Sequence, residues 1–164
     1  HLRRNTRLNC YNSVVAGWPI GLILDSEKGN TQKAATDGLL QLHRIVFAGT
    51  DLTGSDFNKV YKDELYDYKT KTTDPSKKSF SSMFFLLPAN GNKVVDQWVA
   101  RSWQGIQSII AASTSVGGAL QGSFAELQSN NWFDKSATFV GAFRDASDDW
   151  TAGWANFDPE NTIY

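Results

Sequence analysis

A single cysteine, Cys10, serves the whole chain of 164 residues, so neither an internal disulfide nor a paired-cysteine zinc or redox motif can form. Set between Asn9 and Tyr11 in a strand-like run, it reads as a small core residue. Charge of one sign is equally lacking, because 16 basic side chains oppose 17 acidic ones for a formal charge of -1. No overall field holds nucleic acid or an anionic membrane, and a polyanion is disfavoured as main partner. Long apolar runs are missing as well. The longest candidate, "SMFFLLPANG", is shorter than the ~18–20 residues that cross a bilayer and is broken by Pro88. No membrane-spanning segment is expected, and no signal peptide can be read.

What is present supports a folded domain. Apolar residues make up 41% of the chain, enough for one real core at this length. Two stretches, "RLNCYNSVVAGW" and "LLQLHRIVFAGT", align without gaps. Leu8 falls on Leu40, Cys10 on Leu42, Val14 on Val46, Val15 on Phe47, Ala16 on Ala48 and Gly17 on Gly49. Each alternates apolar positions and closes on an Ala-Gly corner, the pattern expected of successive turns of a β solenoid. Two unrelated strands of an antiparallel sheet are the plainer alternative. A short strand over Gly21 to Leu24 and a turn-rich excursion ending at Asp37-Gly38 lie between them.

Further along, "SDFNKVYKDELYDYK" places Phe57, Val60, Tyr61, Leu65 and Tyr68 at helical spacing, with Ser55 or Asp56 as N-cap. The lysine-rich "KTKTTDPSKKSF" reads as a solvated loop. A second amphipathic helix is expected over "NKVVDQWVARSWQGIQSIIAA", whose stripe runs through Val94, Val95, Trp98, Val99, Ser102, Ile106, Ile109 and Ile110. The glycine-rich "SVGGALQG" after it lacks the lysine of a phosphate loop and reads as a connector.

Residues that carry chemistry are few. His1 and His43 are the only imidazoles. An N-terminal His with a second His is the donor set of a copper brace, but His43 sits in the alternating run "LQLHRIVF", which favours a strand residue facing outward. No GxSxG elbow marks a serine nucleophile. In "RDASDDW", Asp145, Asp148 and Asp149 are the candidates for Ca²⁺; their spacing is not that of an EF-hand loop, which favours turn and capping roles, and no cofactor is otherwise implied. Aromatics gather near the end, and Trp150, Trp154 and Phe157 are the candidate ligand-binding residues, through stacking on sugar rings. Packing is the competing use of each ring.

Two stretches carry a resemblance. "HLRRNTRLNCYNSVVAGWPIGLILD" is similar to a segment of pattern LRRNT-x-L-x-x-YNS-x-x-x-G-x-P-x-G-L-x-x-D. "FVGAFRDASDDWTAGWANFDPENTIY" is similar to a closing GAF…DWTxGWxNFDPxNTxY segment. Both occur in a family of uncharacterised secreted or surface proteins of Bacteroidota whose upstream portion resembles a right-handed parallel β-helix. The resemblance covers about a third of the chain and does not extend to its middle. It implies export to the cell surface or outer membrane, and a chain that is the C-terminal portion of a longer stack.

The expected fold is therefore mainly β with inserted helices. Terminal coils of a right-handed parallel β-helix (solenoid) fill residues 1–54, a helical and loop insertion follows over 55–131, and an irregular aromatic segment caps the fold over 132–164. The expected function is noncatalytic: surface display, adhesion, glycan binding or assembly with an outer-membrane protein complex. The alternative is a carbohydrate-active enzyme, a polysaccharide lyase or hydrolase, using acids such as Asp25, Asp37 or Asp51 near the corners.

Overall fold

A computed structural model describes residues 1–18, 21–49, 66–67, 72–73, 79–95, 106–157 and 159–163. Strands β1 (Asn9–Tyr11) and β2 (Val14–Ala16) are followed by helix α1 (Thr31–Thr36), then by β3 (Gln41–His43) and β4 (Val46–Ala48). A short antiparallel pair joins β5 (Tyr66–Asp67) to β6 (Thr72–Thr73). Helix α2 (Phe80–Phe85), strand β7 (Lys93–Val95) and helix α3 (Ile106–Gly117) complete the regular elements.

The residues that align in the sequence are bonded partners in space. β1 pairs parallel with β3, Cys10 against Leu42, and β2 pairs parallel with β4, Val14 against Val46 and Ala16 against Ala48. β7 adds to the other side of β4, with Phe47 against Val94. Between successive strands the chain bends at Asn12 and at Arg44, both left-handed with φ near 48° and 53°. Left-handed backbone is costly for a side-chain-bearing residue, and each bend is held by the contacts described below.

This is nonetheless not the expected β-helix. Five three-residue strands form two small parallel sheets, ordered β1-β3 and β2-β4-β7, beside three helices among the described residues. The central strand β4 is buried at all three positions, as a parallel strand covered on both faces must be. Strand side chains alternate between faces. Phe47 therefore packs one way, with Leu22, Leu24, Leu42 and Phe85 and the partly buried Val15 and Val94. Val46 and Ala48 pack the other way, with Val116 of α3, Val140 and the partly buried Val14 and Val95. A stack of coils encloses one interior; this sheet is sandwiched between two covers, which is why the solenoid reading fails.

Helix α2 builds the first cover. Ser79 caps it by accepting from the Ser82 amide at 3.0 Å, Ser81 Oγ accepts from the Leu24 amide at 2.7 Å, and the fully buried Phe85 stacks on Phe47 with centroids 4.5 Å apart. On the far side the end of α3 and the loop after it run so close to the 138–141 segment that a Cβ at Gly117 would lie 2.0 Å from the Val140 carbonyl oxygen, and one at Gly122 would lie 2.5 Å from that of Phe139. Gly117 and Gly122 of "SVGGALQG" thus serve close backbone approach.

The helix expectations are corrected in part. Val94 and Val95 are strand, because Asn92 turns the chain onto β4: its side chain accepts from the Ile45 amide and donates to the Leu42 and Phe85 carbonyls. Among the described residues the expected helix is present over Ile106–Gly117, whereas Trp98, Val99 and Ser102 lie outside them. Phe57, Val60, Tyr61, Leu65 and Tyr68 of the other expected helix also lie outside them, and Tyr66–Asp67 within that stretch is strand.

Candidate functional site

The C-terminal aromatics are brought together locally. Trp150 sits 6.1 Å from the buried Phe143 and 5.5 Å from Trp154 by ring centroids. Each indole N–H is already used: Trp150 donates to the Ala142 carbonyl at 2.9 Å and Trp154 to the Trp150 carbonyl at 3.0 Å. Those bonds fix the ring planes while leaving Trp150 52% and Trp154 68% exposed. Two tilted, half-uncovered indole faces side by side form an apolar strip whose polar atoms are satisfied from behind. Phe157 is half-buried.

The aspartates expected as Ca²⁺ candidates are each engaged by a near neighbour in sequence. Asp145 Oδ1 accepts from the amide and hydroxyl of Ser147, Asp148 from the Arg144 amide, and Asp149 from the Thr151 hydroxyl. The Ser147 bonds hold the Asp145 carboxyl below its usual range. No group of three metal-capable side chains converges among the described residues. These turns shape the backbone that carries Trp150, which is the use of aspartate in Asx-type turns.

The remaining candidates separate. His1 Nε2 lies 3.0 Å from Asp25, whereas His43 stacks on Tyr11 with centroids 5.5 Å apart and rings 12° from parallel, so the two imidazoles serve different partners. Asp25 also accepts from the Glu27 amide, and Asp37 is bound by Lys33 one helical turn away. Asp51 lies outside the described residues.

A second constellation has no counterpart in the sequence reading beyond His43 itself. Arg44, at the bend between β3 and β4, grips the Glu126 carboxylate with both terminal nitrogens, Nη1 donating at 2.9 Å and Nη2 completing the fork. Its Nε donates to Ser123 O at 2.9 Å and to Asn12 Oδ1 at 3.2 Å, and Asn12 Oδ1 also accepts the Ser123 amide at 3.0 Å. Bidentate guanidinium-carboxylate bonds are the strong kind, and the Arg44 fork holds the Glu126 carboxyl down to about 2. The His43 imidazole is pushed below its ordinary value, mainly by burial; Glu126 opposes that shift and Arg44 adds to it. Tyr11, which donates to Gln41 Oε1, has its phenol pushed up by burial and by the Glu126 charge. Glu126 is 82 residues from Arg44 in the chain, and nothing in either local sequence marks the pairing.

No protein-family profile matches the chain, and no curated protein or solved structure matches it. No helix among the described residues is long and apolar enough to cross a membrane.

Proposed function

We propose that this chain is a noncatalytic, glycan-binding part of an exported cell-surface protein, with Trp150 and Trp154 as its sugar-stacking surface. The observation that carries the reading is the pair of adjacent, exposed indoles whose N–H groups are tied to backbone carbonyls. An indole face carries the negative lobe of the ring quadrupole, which attracts the C–H-rich face of a pyranose through many weak contacts. Ring planes held in advance lower the ordering cost of binding. The exported surface location is supported by the resemblance of the 139–164 segment, which contains both tryptophans.

Titration with soluble dextran, xylan, mannan and β-glucan, followed by intrinsic tryptophan fluorescence, tests the proposal. A saturable change with at least one polymer is expected, weakened at least about tenfold, or ~1.4 kcal/mol, in the Trp150→Ala/Trp154→Ala double variant. Absence of binding across the panel, or equal binding by the double variant, would contradict it. New reducing ends in the mixture would instead favour the lyase or hydrolase reading.

A further inference from the structure

Residues 121–134 form a strap tied at its start to Thr138 through Gln121 and Gly122, and its contacts to the β1-β3 side gather on Tyr11, Asn12 and Arg44, beside His43. From the strap come Ser123, which bonds Asn12 and Arg44, Glu126, which is forked by Arg44, and Phe124 and Phe133, whose rings lie 6.1 and 6.4 Å from that of Tyr11. His43 is beneath them, with its side chain only 14% exposed. Its Nδ1 is buried without a hydrogen-bond partner, 3.6 Å from Glu126 Oε1 and so beyond bonding reach.

We propose that the strap is an acid-released clasp, in which protonation of His43 favours the lifted state and uncovers the Tyr11–His43 face of the β1-β3 sheet. The groups facing His43 are Tyr11 from β1, Glu126 from the strap, the Ala89 backbone from the 3-10 turn that precedes β7, and its own neighbour Arg44. Glu126 and the Ala89 backbone hydrogen bond would welcome an imidazolium, but the Arg44 fork already neutralises Glu126 and the cost of burying a cation outweighs both. The sign follows from that. A solvated imidazole in the lifted state takes up a proton near its ordinary value of 6.5, whereas the clasped one resists until lower pH. Clasping is therefore fully favoured above that value and weakens as pH falls below it. Glu126, held down to about 2, keeps its charge throughout this window, leaving His43 as the facing group among the described residues that titrates there.

The test is amide exchange of the intact chain, normalised to the unfolded rate at each pH. Protection at Ser123, whose amide is bonded across to Asn12, is expected to fall by up to about tenfold between about pH 7.5 and about pH 5.5. The amides of β4 should hold theirs, and His43→Gln should abolish the pH dependence. A pH-independent strap, the same fall in His43→Gln, or a parallel fall in β4 would each overturn the proposal. Independently of any variant, the His43 ring resonances and the Ser123 amide of the unaltered protein should titrate with one midpoint. Separate midpoints would also overturn it.

Discussion

Arg44 reaches Glu126 across 82 residues and Ser123 reaches Asn12 across 111, whereas the indoles of Trp150 and Trp154 are tied to carbonyls only eight and four residues away. The two regions are built on different principles. Around β1 to β4, partners distant in sequence are joined, so each contact closes a large loop and depends on the whole fold. Around Trp150, turns capped by neighbouring aspartates and the buried anchor Phe143 set the shape, so side chains on the outer face carry little of the folding energy. A surface organised in this way can vary or bind without jeopardising the core.

The comparison breaks most visibly in the core. Phe85→Ala removes a fully buried ring stacked on Phe47 and is expected to cost about 3–5 kcal/mol, read as a lower midpoint in urea. Gly117→Ala is expected to cost about 3 kcal/mol, since its methyl collides with the Val140 carbonyl and α3 must shift away from the 138–141 segment. Glu126→Gln should cost about 2 kcal/mol by leaving the Arg44 guanidinium under-paired. Because the Glu126 carboxyl is depressed from 4.5 to about 2, its contribution is present above 4.5 and is lost as pH falls toward 2. Denaturation midpoints of the unaltered protein should converge on those of Glu126→Gln in that interval. The smallest effect is expected at the surface: Trp154→Ala should change stability by no more than about 0.5 kcal/mol in the same urea titration. A large loss there would make the aromatic segment structural and erase the contrast.

The repeat between residues 8–17 and 40–49 was legible because parallel partners share one alternation, and its offset is the observed register. That periodicity does not say how many strands stack or what covers them. The second face of β4 is closed by Val116 and Val140, residues from remote segments, and the expected solenoid yields to a covered sheet for that reason. Val94 and Val95 fit a helical stripe equally well; Asn92 and the edge of β4 decided for strand. At the candidate site, Trp150 and Trp154 could be paired from their four-residue spacing. The Arg44-Glu126 fork was not readable, because charge pairs between distant segments leave no periodic trace.

The most direct measurement is a two-dimensional NMR titration of the labelled chain with an oligosaccharide from whichever polymer binds. The account predicts that the indole N–H signals of Trp150 and Trp154 and the amides of residues 142–155 shift together, while those of β1 to β4 stay in place. Saturable binding that shifts the sheet or the 121–134 strap and leaves both indoles unmoved would contradict it.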